Sequence, residues 1–121
     1  MYTENFDKKL EEVFGDYQSP EMEAAWESLK LSYPPESAVA GEVVARSEFG
    51  VWVDLGFSFP ALLEIIVIEG MNPDLYKKDE YCQIGEKIQA RISGYVDSRR
   101  QIYIMQKEPR SISEKEQRYN R

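Results

Sequence analysis

Residues 48–56 read Glu-Phe-Gly-Val-Trp-Val-Asp-Leu-Gly (EFGVWVDLG). Alternation places Val51, Val53 and Leu55 on one face of a short strand and Trp52 and Asp54 on the other. A strand facing a core turns its aromatics inward, and a solvated strand carries no tryptophan. A tryptophan on the aspartate's face, with Phe49 just behind it across a glycine, therefore calls for a specific use.

The flanking sequence keeps the period of two. AVAGEVVAR (38–46) is a first strand whose glycine permits a bend or a bulge, and residues 48–56 supply the second. PALLEIIV (60–67) is the third, with Ala61, Leu63, Ile65 and Val67 on one face and Leu62, Glu64 and Ile66 on the other. MNPDLYKKDEY (71–81) is polar, turns at Asn72-Pro73 and predicts a short helical turn. EKIQARISGYV (86–96) is the fourth strand, VDSRRQ (96–101) a hairpin turn and QIYIMQK (101–107) the fifth. The pattern predicts a mainly β fold over residues 38–108, a five-stranded closed antiparallel barrel with one helical insert.

Residues 1–37 have a different period. Phe6, Leu10, Val13, Phe14 and Tyr17 form one helical stripe, with Thr3 as the expected N-cap and Gly15 as the stop. Ser19-Pro20 predicts a second helix start, and Met22, Ala25, Trp26 and Leu29 give that helix an apolar face. The expectation is an amphipathic pair docked on the barrel, followed by a linker at Tyr33-Pro34-Pro35-Glu36-Ser37. Residues 109–121 form a polar tail.

Composition excludes several chemistries. The 121 residues contain no histidine and one cysteine, so His-based triads, His-ligated metals, an internal disulfide and cysteine-rich metal sites are ruled out. No phosphate-cradling GxxxxGK[ST] or GxGxxG occurs. No apolar run reaches the ~20 residues of a membrane span, and MYTENFDKKLEEVF lacks the pattern of a secretory signal. No catalytic residue, metal, cofactor, membrane partner or small-molecule substrate is expected, and a cytoplasmic setting is the simplest reading. Carboxylates alone leave a paired-carboxylate hydrolase open, but 22 acids make chance pairs common. The net charge of −7 is concentrated in residues 1–37, which carry nine acids against three bases. Such acidity disfavours nonspecific binding to nucleic acid.

The order and spacing of these strands resemble the S-one domain, the RNA-binding repeat of ribosomal protein S-one and a member of the OB-fold class. The matching pieces are Gly41-Glu42-Val43-Val44, residues 48–56, Ala61-Leu62-Leu63-Glu64, Ile84-Gly85-Glu86-Lys87-Ile88, Val96-Asp97 and residues 101–107. The resemblance covers residues 38–108 and extends to neither end. It implies that Phe49 and Trp52 lie on the outer face and stack on bases. Strict alternation would part them, so a bulge at Gly50 is expected to bring both to one side. It also implies roles on that face for Asp97, for Glu64 where the family has histidine or another polar donor, and for Gln101 where it has a base. Arg99 and Arg100, just before Gln101, could supply the missing charge, and a solvated hairpin turn explains them equally well. Met105 replaces the family's usual serine. Arg46, Lys77, Lys78, Lys87, Arg91 and Lys107 are further cations whose faces the sequence does not fix.

Three functions remain open at this point. One is non-catalytic binding of single-stranded RNA, with Phe49 and Trp52 stacking bases and Arg99 and Arg100 neutralising phosphate. The second is a protein-interaction domain on an OB scaffold that has lost RNA binding, its acidic helices docking a basic partner and its aromatics, Leu62 and Ile66 forming a hot spot. The third combines them: the acidic helices lie across the aromatic platform and compete with RNA.

Overall fold

The computed structural model describes residues 2–68 and 82–106, so the helical turn expected within 71–81 and the polar tail lie outside the described residues. Five strands, β1 (Ala38–Ser47), β2 (Gly50–Asp54), β3 (Ala61–Glu64), β4 (Lys87–Val96) and β5 (Gln101–Met105), close into a barrel in the order β1-β2-β3-β5-β4. With two helices before it, this is the OB architecture. The antiparallel expectation needs one correction: β3 and β5 run parallel, Leu62 opposite Tyr103. The reason is geometric, because directions cannot alternate all the way round a ring with an odd number of strands.

β1 serves two partners. Its first half pairs with β4, Ala38 opposite Arg91, and its second half with β2, Arg46 opposite Val51. The register shifts between Val43 and Ala45, and again in β4 between Ile92 and Gly94. Such bulges add twist where a strand must curve from one partner to the next. β3 is shorter than the alternation from Pro60 to Val67 predicts. It stops at Glu64, and Ile65–Val67 form a 3-10 turn tied back by Ile65 N–H donating to Phe49 O at 2.9 Å.

The N-terminal segment holds α1 (Phe6–Phe14) and α2 (Glu23–Ser32), with a 3-10 turn at Pro20–Met22 between them. Asn5, not Thr3, caps α1, its side chain accepting from the Lys8 amide at 3.4 Å. Thr3 instead extends the β1 edge: its N–H donates to Arg46 O and its Oγ1 accepts from Arg46 N–H, both at 2.8 Å. Gly15 ends α1 at φ 72°. Ser19 makes no side-chain cap, and α2 proper begins at Glu23. Leu10, Tyr17, Trp26 and Leu29 join Val51, Val53, Leu63, Ile92, Ile102 and Ile104 in one continuous core. The helices are therefore packed against the outside of the barrel, and their buried side chains are continuous with its core. Among the described residues no helix is long and apolar enough to cross a membrane.

Candidate nucleic-acid interface

The stretch around Trp52 is shaped by Gly50. Gly50 lies opposite Ser47 on β1 and Glu64 on β3, with the β2–β3 register unbroken to Val53 opposite Ala61. The bulge expected at Gly50 is thus absent; the register shift of β1 falls at Val44 instead. Phe49 reaches Trp52 by another route, because it sits in the tight turn between β1 and β2, where strand alternation no longer sets its direction. The two ring centroids are 6.3 Å apart at an interplanar angle of 85°. Trp52 lies opposite Leu62, and Leu62 opposite Tyr103, which makes a row across β2, β3 and β5.

The Trp52 end of that row is covered. The Phe6 ring of α1 stacks on Trp52 with centroids 5.6 Å apart and planes 21° from parallel, and meets Phe49 edge-on at 5.9 Å. Trp52 is consequently 2% exposed, whereas Phe49 remains 45% exposed. Trp52 Nε1 is buried with no hydrogen-bond partner among the described residues. An unpaired buried N–H costs roughly 1–3 kcal/mol, which offsets part of what the aromatic contacts contribute.

Between α1 and the barrel lies a cleft of about 530 Å³. The strands contribute Trp52, Leu62, Glu64, Gln101 and Tyr103 to it, the two turns Phe49 and Arg99, and the N-terminal segment Phe6, Asp7 and Gln18. Five of the seven residues singled out from the sequence (Phe49, Trp52, Glu64, Arg99 and Gln101) therefore line one cleft. Its charge is two carboxylates, Asp7 and Glu64, against one guanidinium, Arg99. Arg46 is buried at the Tyr2 ring, Arg91 pairs with Glu36 at 3.0 Å, and Lys87 lies across from Glu42 at the other side of β1. Lys77, Lys78 and Lys107 lie outside the described residues.

The other two residues are held by the N-terminal segment. Asp97 Oδ1 accepts from Trp26 Nε1 at 2.8 Å and from Lys30 Nζ at 2.7 Å. The Arg100 guanidinium donates to the carbonyls of Tyr17 and Ser19, and Gln18 Nε2 donates to Arg99 O at 3.2 Å. Gln101 is buried against the Tyr17 side chain, whose hydroxyl is pushed above its ordinary value by burial, with the Gln101 hydrogen bond acting the other way. The hairpin turn before β5 is thus a clasp for the segment from Tyr17 onward.

The clasp has a pH signature. Hydrogen bonds from Lys30 first and Trp26 second hold the Asp97 carboxyl below the ordinary aspartate value, and the same Asp97 contact raises Lys30. A depressed carboxylate contributes stability that is present above the ordinary aspartate value, ~3.9, and lost as pH falls through the lower folded value. Protection of the α2 amides, taken relative to their intrinsic exchange rates, should fall on acidification below about pH 4. Asp97→Asn should flatten that limb, and an identical acid limb in the variant would assign it to other carboxylates.

Phe6, Tyr17, Gln18 and the Trp26–Lys30 pair are site residues that sequence reasoning did not single out. The helical stripe containing Phe6 was visible, but a stripe says that a face is covered, not which ring it meets. Among the described residues no group of three or more acidic or cysteine side chains is arranged to hold a metal ion.

Barrel and cleft together define a small OB-type domain in which Phe6 of α1 covers the Trp52 edge of the β2–β3–β5 face. Solved structures of the same fold include GSP13 from Bacillus subtilis, with TM-score 0.50 and 16% identity over 69% of each chain. The a/eIF2alpha–aDim2p–rRNA complex from Pyrococcus horikoshii matches with TM-score 0.51 and 15% identity, over 73% of this chain and 52% of that one. RNase R from Mycoplasma genitalium, in complex with ribose methylated single-stranded RNA, matches with TM-score 0.54 and 15% identity, over 69% of this chain and 14% of that one. At such identities the likeness is one of fold. No protein-family model and no curated protein matches the sequence.

Proposed function

We propose that this chain is a non-catalytic single-stranded RNA-binding module, with residues 38–108 as the binding unit and a cytoplasmic setting. The observation that carries the reading is the gathering of Phe49, Trp52 and Arg99 around one cleft on the β2–β3–β5 face. Two solved structures of the same fold contain RNA, which adds support. In this mechanism Phe49 and Trp52 offer π-faces to successive bases, Arg99 meets a phosphate, and the carboxylate of Glu64 accepts from base amino or imino groups. Asp97 and Arg100 act indirectly, by fixing the turn that carries Arg99.

The test is titration of a labelled single-stranded RNA oligomer at low and moderate salt. Phe49 is the informative position, because its exposure lets alanine replace it with little loss of core. Base–aromatic stacking is worth ~1–3 kcal/mol per base, so Phe49→Ala should weaken binding roughly fivefold to 150-fold. Arg99→Ala should weaken it at low salt and reduce its salt dependence. Equal binding by all three proteins would remove this cleft from consideration.

A second reading, a protein-interaction surface, draws on one specific observation. The face already accommodates a peptide segment of this chain, and the cleft has more acid than base. Under that reading the folded protein shows no saturable RNA binding at any salt concentration.

A further inference from the structure

We propose that α1 is a hinged internal competitor: Phe6 occupies the position of a nucleobase on Trp52, and RNA binding opens residues 2–16 while α2 stays docked. This inference rests on the RNA-binding reading of the cleft.

The first support is geometric. An aromatic ring lying 21° from parallel over Trp52 and nearly perpendicular to Phe49 fills the space in which a base would stack on this pair. The competitor is also acidic: Glu4, Asp7, Glu11, Glu12 and Asp16 outnumber Lys8 and Lys9 between residues 2 and 16. Asp7 lines the cleft itself. Phosphates and α1 therefore repel each other, and a nucleic acid entering the cleft disfavours the closed arrangement.

The second support is the unequal attachment of the two helices. From Tyr17 onward the segment is fastened by Arg100 on the Tyr17 and Ser19 carbonyls, by Trp26 and Lys30 on Asp97, and by buried Leu29. Before Tyr17, α1 has nine residues and buries only Leu10 completely, with Phe6 and Phe14 packed at the edge. A helix this short is not stable alone in water, so undocking also unwinds it. The two Thr3–Arg46 hydrogen bonds and the Tyr2 ring over the Arg46 guanidinium, near its start, must also be given up, and water can replace each of these polar contacts. Between the fastened and the loose part stands Gly15, at φ 72° with no atom near its Cβ position, which gives the chain a pivot. Opening is thus a local event at the weakly held end of the structure.

An RNA that binds only the open form sees its affinity reduced by the fraction of molecules that are open. Weakening the closed form removes that reduction. The experiment compares the full chain with Phe6→Ala, which removes the competing ring, and Leu10→Ala, which loosens α1 from outside the cleft. Each is titrated with a single-stranded RNA oligomer after circular dichroism has shown a folded barrel. Both variants should bind at least about fivefold tighter than the parent, and Phe49→Ala added to Phe6→Ala should abolish the gain. Binding by the parent with equal or weaker binding by both variants would leave the RNA reading standing and overturn the competitor. No binding by the parent or either variant would overturn the RNA reading and the competitor with it.

Discussion

Trp26→Ala is expected to lower stability by about 3–5 kcal/mol, a fall in thermal midpoint of roughly 10–20 °C for a chain of this length. Trp26 is the keystone of the α2 contact. It is almost completely buried, its ring meets the edges of Phe59 at 5.0 Å and Tyr95 at 5.4 Å, and Lys30 lies 5.8 Å above it. Alanine would leave a cavity between helix and barrel that neither can close, because Tyr95 is itself tethered by its hydroxyl donating to Tyr33 O at 2.6 Å. Trp26→Phe keeps an aromatic ring and gives up the Asp97 hydrogen bond, so its loss should be distinctly smaller. Thermal unfolding followed by circular dichroism reads both. An alanine variant within about 0.5 kcal/mol of the parent, where ordinary surface substitutions fall, would mean that α2 is not packed on the barrel.

The second large effect is expected at Gly50. A Cβ there would stand 2.4 Å from Leu63 O and 2.8 Å from Glu64 Cα, both backbone atoms of the neighbouring strand. No side chain can move aside to relieve this, so β2 and β3 must separate. Gly50→Ala should destabilise by about 3 kcal/mol, at the upper end for overpacking. Gly94, in β4, provides the control: nothing lies within 4 Å of its Cβ position. Gly94→Ala should remain within about 1 kcal/mol of the parent or stabilise slightly. Chemical denaturation of the two variants side by side checks the contrast. Equal effects would show that close strand approach is not what reserves position 50 for glycine.

The sequence was informative where one local rule acts alone. Alternation in residues 48–56 separates Val51 and Val53 from Trp52, the helical stripe marks α1, and Ser19-Pro20 marks the approach to α2. Each of these is a property of a few neighbouring residues. What covers a face is not such a property. Trp52 is as buried as the valines beside it because Phe6, forty-six residues earlier, lies over it, and no pattern around Trp52 encodes that. Gly50 illustrates the same limit. Glycine is compatible with a bulge and with close strand approach, and only the position of β3 decides between them. The bulge itself sits at Val44, within the β1–β2 pairing and just past the last β1 residue paired with β4, a demand of barrel closure with no local sequence signature. Thr3 likewise reads as a cap, yet the edge of β1 recruits it first.

The cleft residues show how a resemblance and a structure divide the work. Phe49, Trp52, Glu64 and Gln101 stand at motif positions, the last two as departures from the family's residues, and Arg99 in the turn just before Gln101; all five surround one cleft. Asp97, a motif position, and Arg100, from the adjoining turn, are instead engaged by Trp26, Lys30 and the carbonyls of Tyr17 and Ser19. The extension thus uses polar groups of the turn for its own docking, while Phe6 uses the aromatic ones.

The central claim, that single-stranded RNA enters the cleft beneath α1, is tested most directly by nuclear magnetic resonance of the full chain during titration with an RNA oligomer. The two tryptophans give two indole N–H signals in distinct settings, one bonded to Asp97 and one buried beneath Phe6. The account predicts that the Trp52 indole and the amides of α1 shift together and saturably, while the Trp26 indole stays in place. Shifts confined to Trp26 and α2, or no shift in either indole while RNA is bound elsewhere, would contradict it.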